Sequence, residues 1–203
     1  ASDSHSNMYG GLGCLGTPVV RTDAAALWAT GQTWWQVPNI TKVELIGNLL
    51  KGVTGKDVII TLCGLFNKDE VLNHVLEFTG DGIANLSIDE RLTIANMTTE
   101  WGALAGVFPI DEVTILWLRD RADFIGKRGL EGVLSDTDGK NGVHPRLNYD
   151  RINDLENDPL IADDGAYYTK NIKLNLKSVS PHISGPNHVK TMTSLHDAVR
   201  KNI

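Results

Sequence analysis

An α/β fold is predicted for this 203-residue chain, on three observations. Short segments with period-2 apolar patterning recur along it, and segments with period-3.6 patterning separate them. Apolar residues make up 41% of the sequence and charged residues 22%, enough apolar material for a real core. No apolar run approaches the ~20 residues of a membrane span.

Residues 1–38 open with a Gly-rich, polar stretch, continue through the apolar run Ala24 to Trp28 and the pair Trp34-Trp35, and close at Pro38. Lys42 to Gly47 reads as a strand with Val43, Leu45 and Gly47 on one face and Lys42, Glu44 and Ile46 on the other. Thr54 is placed to cap a helix through Leu65, whose Val58, Ile59, Leu62 and Leu65 follow i, i+3, i+4, i+7 spacing. Val75 to Thr79 reads as a second strand ended by Gly80-Asp81-Gly82. A helix capped by Asp89 is expected to run to about Leu104, with Leu92, Ala95, Asn96, Thr99, Glu100 and Ala103 on one stripe. Val107 to Pro109 reads as a short strand or strand end, and Glu112 to Arg121 as a helix. Residues 133–166, rich in Asp, Asn and Gly, read as a long exposed insertion. Ile172 to Leu176 alternates as a strand, His182 to Asn187 is a turn, and Thr191 to Lys201 forms a last amphipathic helix.

Nineteen basic against 25 acidic residues give a net charge of −6, which argues against a dominant nucleic-acid or anionic-membrane surface. Two cysteines, Cys14 and Cys63, exclude a disulfide scaffold and cannot by themselves hold a zinc site or an iron–sulfur cluster. The chain opens with no Met and no secretory pattern, and we expect it to be a piece of a longer protein.

Gly11-Leu12-Gly13-Cys14-Leu15-Gly16 matches G-x-G-x-x-G literally, but the entry from Asp3 to Tyr9 is polar and no acidic residue follows ~20 positions on, so a dinucleotide site is not expected. Tight turns and close backbone approach explain these glycines better. In Asp3-Ser4-His5 a carboxylate, a hydroxyl and an imidazole stand side by side. In an extended segment Asp3 and His5 would share a face and Ser4 the other, so the tripeptide is no nucleophilic triad by itself. Asn96 and Glu100 stand i, i+4 on the apolar side of their helix, where a carboxylate needs a partner. His74, His144, His188 and His196 have no ligand-like spacing and read as surface or packing residues, and the five tryptophans as core or interface material.

Three segments carry a resemblance. Asp3-Ser4-His5-Ser6-Asn7 with the glycine-rich stretch after it, Thr93 to Ala103 followed by Val107-Phe108-Pro109, and Pro181-His182-Ile183-Ser184-Gly185-Pro186 resemble, in order, signatures of the aconitase superfamily. The resemblance covers essentially the whole chain. It implies a three-layer α/β/α fold with a mixed or parallel sheet, and a hydro-lyase acting on a tricarboxylic 2-hydroxy acid at a [4Fe–4S] cluster. Trp34-Trp35 and Thr98-Thr99-Glu100-Trp101 favour the mitochondrial branch that interconverts homocitrate, homoaconitate and homoisocitrate for lysine biosynthesis, over aconitase or the 3-isopropylmalate dehydratase large subunit. It further implies that His5 and Glu100 form a proton-supplying pair, that Asp3 holds a second histidine upstream, that Ser4 binds a substrate carboxylate, and that Asn96 sits against the cluster. By the same resemblance residues 1–38 end a first domain, 39–190 form a second, and 191–203 lead toward a third, with the remaining domains of the parent chain as partners. The cysteine motifs that ligate the cluster are absent from this sequence, so no metal ligand is expected in this chain. A non-catalytic folded module stays open as an alternative.

Overall fold

A computed structural model describes residues 3–129 and 143–202. Described residues up to Pro109 and from Gly165 onward make one compact unit, and Ile110–Asp164 a second.

The first unit is organised by a four-stranded parallel sheet of β1 (Ile40–Ile46), β2 (Val75–Thr79), β3 (Ala105–Val107) and β4 (Lys170–Asn175), in the order β3-β2-β1-β4. In β1, Thr41, Val43 and Leu45 are buried while the residues between them are half covered, as the alternation in the sequence requires. Register carries the same face across the sheet: Val43 lies beside Phe78 and Ile172, and Leu45 beside Leu174. The other face is polar, with Lys173 Nζ 3.0 Å from Glu44 and the Tyr168 hydroxyl donating to Glu77 at 2.9 Å.

Between the strands run α2 (Gly55–Leu65), α3 (Ile88–Asn96) and the one-turn α4 (Thr98–Trp101). Helix α2 starts where the sequence places it, because Thr54 and Asp57 form a capping box. Helix α3 starts earlier than expected. Ser87 and Glu90 form its capping box, which leaves Asp89 inside the first turn rather than at the cap. It also ends early, at Met97, and a new turn begins, so the stripe running from Leu92 to Ala103 is split between two helices. Below the sheet, Phe78 and Phe108 stack at 4.4 Å, and the buried Trp101 ring donates Nε1–H to the Phe66 carbonyl at 2.8 Å. The buried Arg91 guanidinium donates to the carbonyls of Ile83 and Leu86, satisfying a charge that could not otherwise be buried.

At the end of the chain the expected helix from Thr191 begins later. Met192–Ser194 is instead strand β6, paired antiparallel with β5 (His182–Ser184), and α7 (Leu195–Lys201) follows with Ser194 as its cap. The Asp57 carboxylate links the two parts, accepting both from Thr54 and from the His182 N–H at 2.8 Å.

The second unit holds α5 (Glu112–Arg128), one and a half turns or more longer than its amphipathic core suggested, and α6 (Tyr149–Asn157). Helix α6 falls within the stretch read as a long exposed insertion; Asn148 caps it and Ile152 is its buried anchor. Residues 130–142 lie outside the described residues. No helix of the described residues is long and apolar enough to cross a membrane.

Candidate active site

The polar opening of the chain is not extended. Asp3 to His5 form a turn that runs into a short 3-10 helix, Ser6–Leu12, because the Asp3 carbonyl accepts from both the backbone N–H and the hydroxyl of Ser6. The face-sharing of Asp3 and His5 expected for a strand therefore does not arise. Instead the adjacent Ser4 hydroxyl and the His5 ring meet at 3.0 Å, Oγ to Nδ1.

Glycine brings this 3-10 helix against the rest of the fold. A Cβ on Gly10 would stand 1.6 Å from the Gly106 carbonyl oxygen, and one on Gly11 would stand 2.7 Å from the Leu92 nitrogen. The Phe108 N–H donates to the Gly10 carbonyl at 2.8 Å, tying the segment to the end of β3. Of the glycines in the G-x-G-x-x-G match, Gly11 makes one of these contacts, Gly13 has a φ of 78°, and a Cβ on Gly16 would stand 2.2 Å from the Ser6 carbonyl oxygen, so the match serves backbone packing and turning rather than a phosphate cradle.

The approach places His5 Nε2 2.7 Å from Glu100 Oε1, between residues 95 apart in sequence. Glu100 comes from α4, the turn that starts after α3 breaks. With the carboxylate ionised, the ring proton sits on Nε2 and donates to Oε1, which leaves Nδ1 to accept the Ser4 hydroxyl proton. The His5 side chain is 39% exposed and that of Glu100 22%. The imidazole can thus meet a ligand, while the other carboxylate oxygen, Oε2, is buried and has no hydrogen-bond partner among the described residues. A carboxylate backing an imidazole in this way holds one tautomer and fixes the orientation of the ring.

The other expected site residues lie around this pair. Asp3 is exposed; its Oδ1 accepts the His5 backbone N–H at 3.4 Å and does not reach the ring. Asn96 is the last residue of α3, half-buried, with no side-chain hydrogen bond among the described residues. Sequence reasoning missed Asn7, Thr98 and Thr99. The Asn7 amide donates to Thr98 Oγ1 at 2.8 Å, both residues being fully buried, and the Thr99 hydroxyl donates to the Ser4 carbonyl at 3.1 Å. Their signal in the sequence was position alone: Asn7 stands in the first of the segments that resemble family signatures, and Thr98 and Thr99 in the second.

Among the described residues no three or more His, Cys, Asp and Glu side chains gather as a metal site. Cys14 is exposed and Cys63 buried, and burial together with the nearby Glu100 charge pushes the Cys63 thiol up to about 12, away from the thiolate that a cluster ligand must be. These residues do not form a cradle for a [4Fe–4S] cluster. A cavity of about 520 Å3 lies elsewhere, lined by Trp34, Trp35, Pro38, His74 and Leu104. His74 meets Thr41 Oγ1 at 2.7 Å there, and desolvation with the Lys170 charge lowers its pKa. Among the described residues no carboxylate pairs with His74 as Glu100 pairs with His5. Trp28, Trp34 and Trp35 are exposed rather than core residues; Trp101 alone of the five is fully buried.

Comparison with known proteins places the chain. The family described as Aconitase family (aconitate hydratase) matches residues 1–203. The chain is 58% identical over 204 residues to a protein named "Homoaconitase, mitochondrial" from Mycosarcoma maydis. Proteins of the same name from Debaryomyces hansenii and Candida albicans are 55% and 56% identical to it. All of this chain is covered in each case, but only 27%, 27% and 28% of those relatives, so it spans about a quarter of their length.

Proposed function

The chain belongs to the aconitase family, and from that premise we propose that it is part of a mitochondrial hydro-lyase interconverting homocitrate, homoaconitate and homoisocitrate in lysine biosynthesis. The single observation that carries the reading is the 2.7 Å contact between His5 and Glu100 on segments matching the family's signatures. Dehydration of a 2-hydroxy acid breaks a C–O bond and needs a proton delivered to the departing hydroxyl. An imidazole backed by a carboxylate, exposed on one side and buried on the other, is suited to hold that proton and pass it to a bound substrate.

In this reading His5 is the proton carrier and Glu100 orients its ring. Ser4, with its hydroxyl on His5 Nδ1, binds a substrate carboxylate and turns to accept when Nδ1 gains a proton. Asp3 supports a histidine outside the chain, and Asn96 lies on the side where the family's cluster would be. Residues 39–190 form the second domain of the parent, with 1–38 supplied by the first and 191–203 leading onward. The proton on the neighbouring carbon requires a separate base, which the resemblance assigns to a serine outside these 203 residues.

Homoaconitate hydration by the full-length protein that contains this chain tests the reading. Glu100→Gln and His5→Gln are each expected to lower kcat by roughly 100-fold or more, the usual contribution of a general acid. Equal turnover by wild type and Glu100→Gln would sink it, as would a preference for isopropylmalate or citrate. The 203 residues alone, reconstituted anaerobically with iron and sulfide, are expected to retain no iron and show no turnover.

A further inference from the structure

His5 sits at the mouth of a seven-residue 3-10 helix and Glu100 on a four-residue helix, and neither element is long enough to fix its own side chain to a fraction of an ångström. Something else must set their separation. Two residues past His5, Asn7 is fully buried, and two residues before Glu100, Thr98 is fully buried; Nδ2 of the first donates to Oγ1 of the second at 2.8 Å. The direction of this bond is fixed. Thr98 has a single hydroxyl proton and donates it to the Ala95 carbonyl at 2.7 Å, so toward Asn7 it can only accept. That orientation leaves Asn7 Oδ1 buried without a hydrogen-bond partner among the described residues. A buried polar pair with one orphaned acceptor is a poor way to stabilise a fold, since two apolar side chains of the same shape would do at least as well.

We propose that Asn7 and Thr98 are positioning residues, whose buried amide–hydroxyl contact sets the approach of the His5 ring to the Glu100 carboxylate. The proposal rests on the reading of His5 and Glu100 as the proton-transfer pair. The contact also places the break at Met97 in a new light. A continuous helix from Ser87 to Leu104 would carry residue 98 around the same axis as residue 94, whereas restarting the chain at Thr98 places its hydroxyl between Asn7, from which it accepts, and the Ala95 carbonyl, to which it donates. The second link, Thr99 Oγ1 to the Ser4 carbonyl at 3.1 Å, joins the same two turns from the exposed side.

The test uses the full-length enzyme. In the double variant Asn7→Leu/Thr98→Val, which keeps shape and removes every polar atom of the contact, kcat for homoaconitate hydration is expected to fall roughly tenfold or more with KM unchanged, the signature of misplaced catalytic groups. The thermal midpoint is expected to hold or rise. Thr98→Ser, which keeps the acceptor, is expected to keep kcat. A folded double variant with wild-type kcat overturns the proposal, and so does a Thr98→Ser enzyme as slow as Thr98→Val. If the double variant does not fold, the ring N–H resonance of His5 in 15N-histidine-labelled protein decides. It is expected to persist in Thr98→Ser and broaden by exchange in Thr98→Val; persistence in Thr98→Val overturns the proposal. Wild-type enzyme without homoaconitate turnover would count against the function proposed above, while the ring resonance would still report on the contact itself.

Discussion

Residues 3–13 and residues 17–38 are neighbours in sequence and opposites in structure. The first stretch has the weaker local preference for structure, a 3-10 helix with Gly10 and Gly11 in its last three positions and Gly13 just beyond its end. Yet it is locked to β3 and α3 by backbone contact. The second contains α1 (Arg21–Thr30), an alanine-rich helix with good propensity and none of its residues buried. Trp28 is 91% exposed and Trp34 79%. Propensity made a helix in one case, and absence of side chains made a contact in the other. What ties a segment into this fold is how closely its backbone can approach, not how regular it is alone.

The largest expected effect tests that claim directly. Gly10→Ala drives a methyl into the Gly106 carbonyl and is expected to cost at least about 3 kcal/mol in urea unfolding, since backbone on both sides leaves nowhere to relax. A loss below about 1 kcal/mol would break the comparison.

The two cysteines sharpen it next. Cys14 lies at the exposed junction of the two stretches and Cys63 is buried in α2. At pH 8 a thiol reagent is expected to label Cys14 at once and Cys63 only on unfolding. Burial raises the folded pKa of Cys63 from 9.0 to about 12. Between those values the folded state holds the proton that the unfolded chain has lost. Stability is therefore undiminished by this group below pH 9 and falls as pH rises toward 12. Denaturant midpoints measured from pH 8 to 11 check the sign, and Cys63→Ala should flatten the slope.

Ser87→Ala removes the hydroxyl half of the α3 capping box and is expected to cost about 1 kcal/mol, because α3 is part of the packed region. The smallest effect belongs to α1. Trp28→Ala is expected to change stability by less than about 0.5 kcal/mol despite deleting the largest side chain available. Hydrogen exchange gives the same contrast without mutation, with α1 amides exchanging far ahead of those in β1 and α2.

Much of the frame was legible in the sequence. Val43 and Leu45 announced β1, Val75 to Thr79 is β2 to the residue, and Thr54 with Asp57 marked the start of α2. What misled were positions where a local rule competed with tertiary contact. Asp89 is a good cap, but Ser87 with Glu90 two residues earlier is better. Leu92 to Ala103 has helical spacing throughout, yet the chain breaks at Met97 because Thr98 is held by Asn7 and Ala95. Apolar character suggested that the tryptophans were core or interface material without saying which, and nothing in Trp28 itself says that α1 has no buried face. The convergence of His5 and Glu100 could not be read from spacing at all. It came from family resemblance, and its 2.7 Å distance only from the structure.

That distance bridges 95 residues of chain, and the interval has a meaning in time. A ribosome adds on the order of ten residues each second. The polar turn at Ser4 and His5 therefore emerges roughly ten seconds before the helix that completes it. For that interval the half that leaves first has no partner, and any neighbouring polypeptide can meet it. Its hydroxyls, amide and imidazole keep it hydrated while it waits, so a composition read above as chemistry is also what lets an unfinished chain stay in solution.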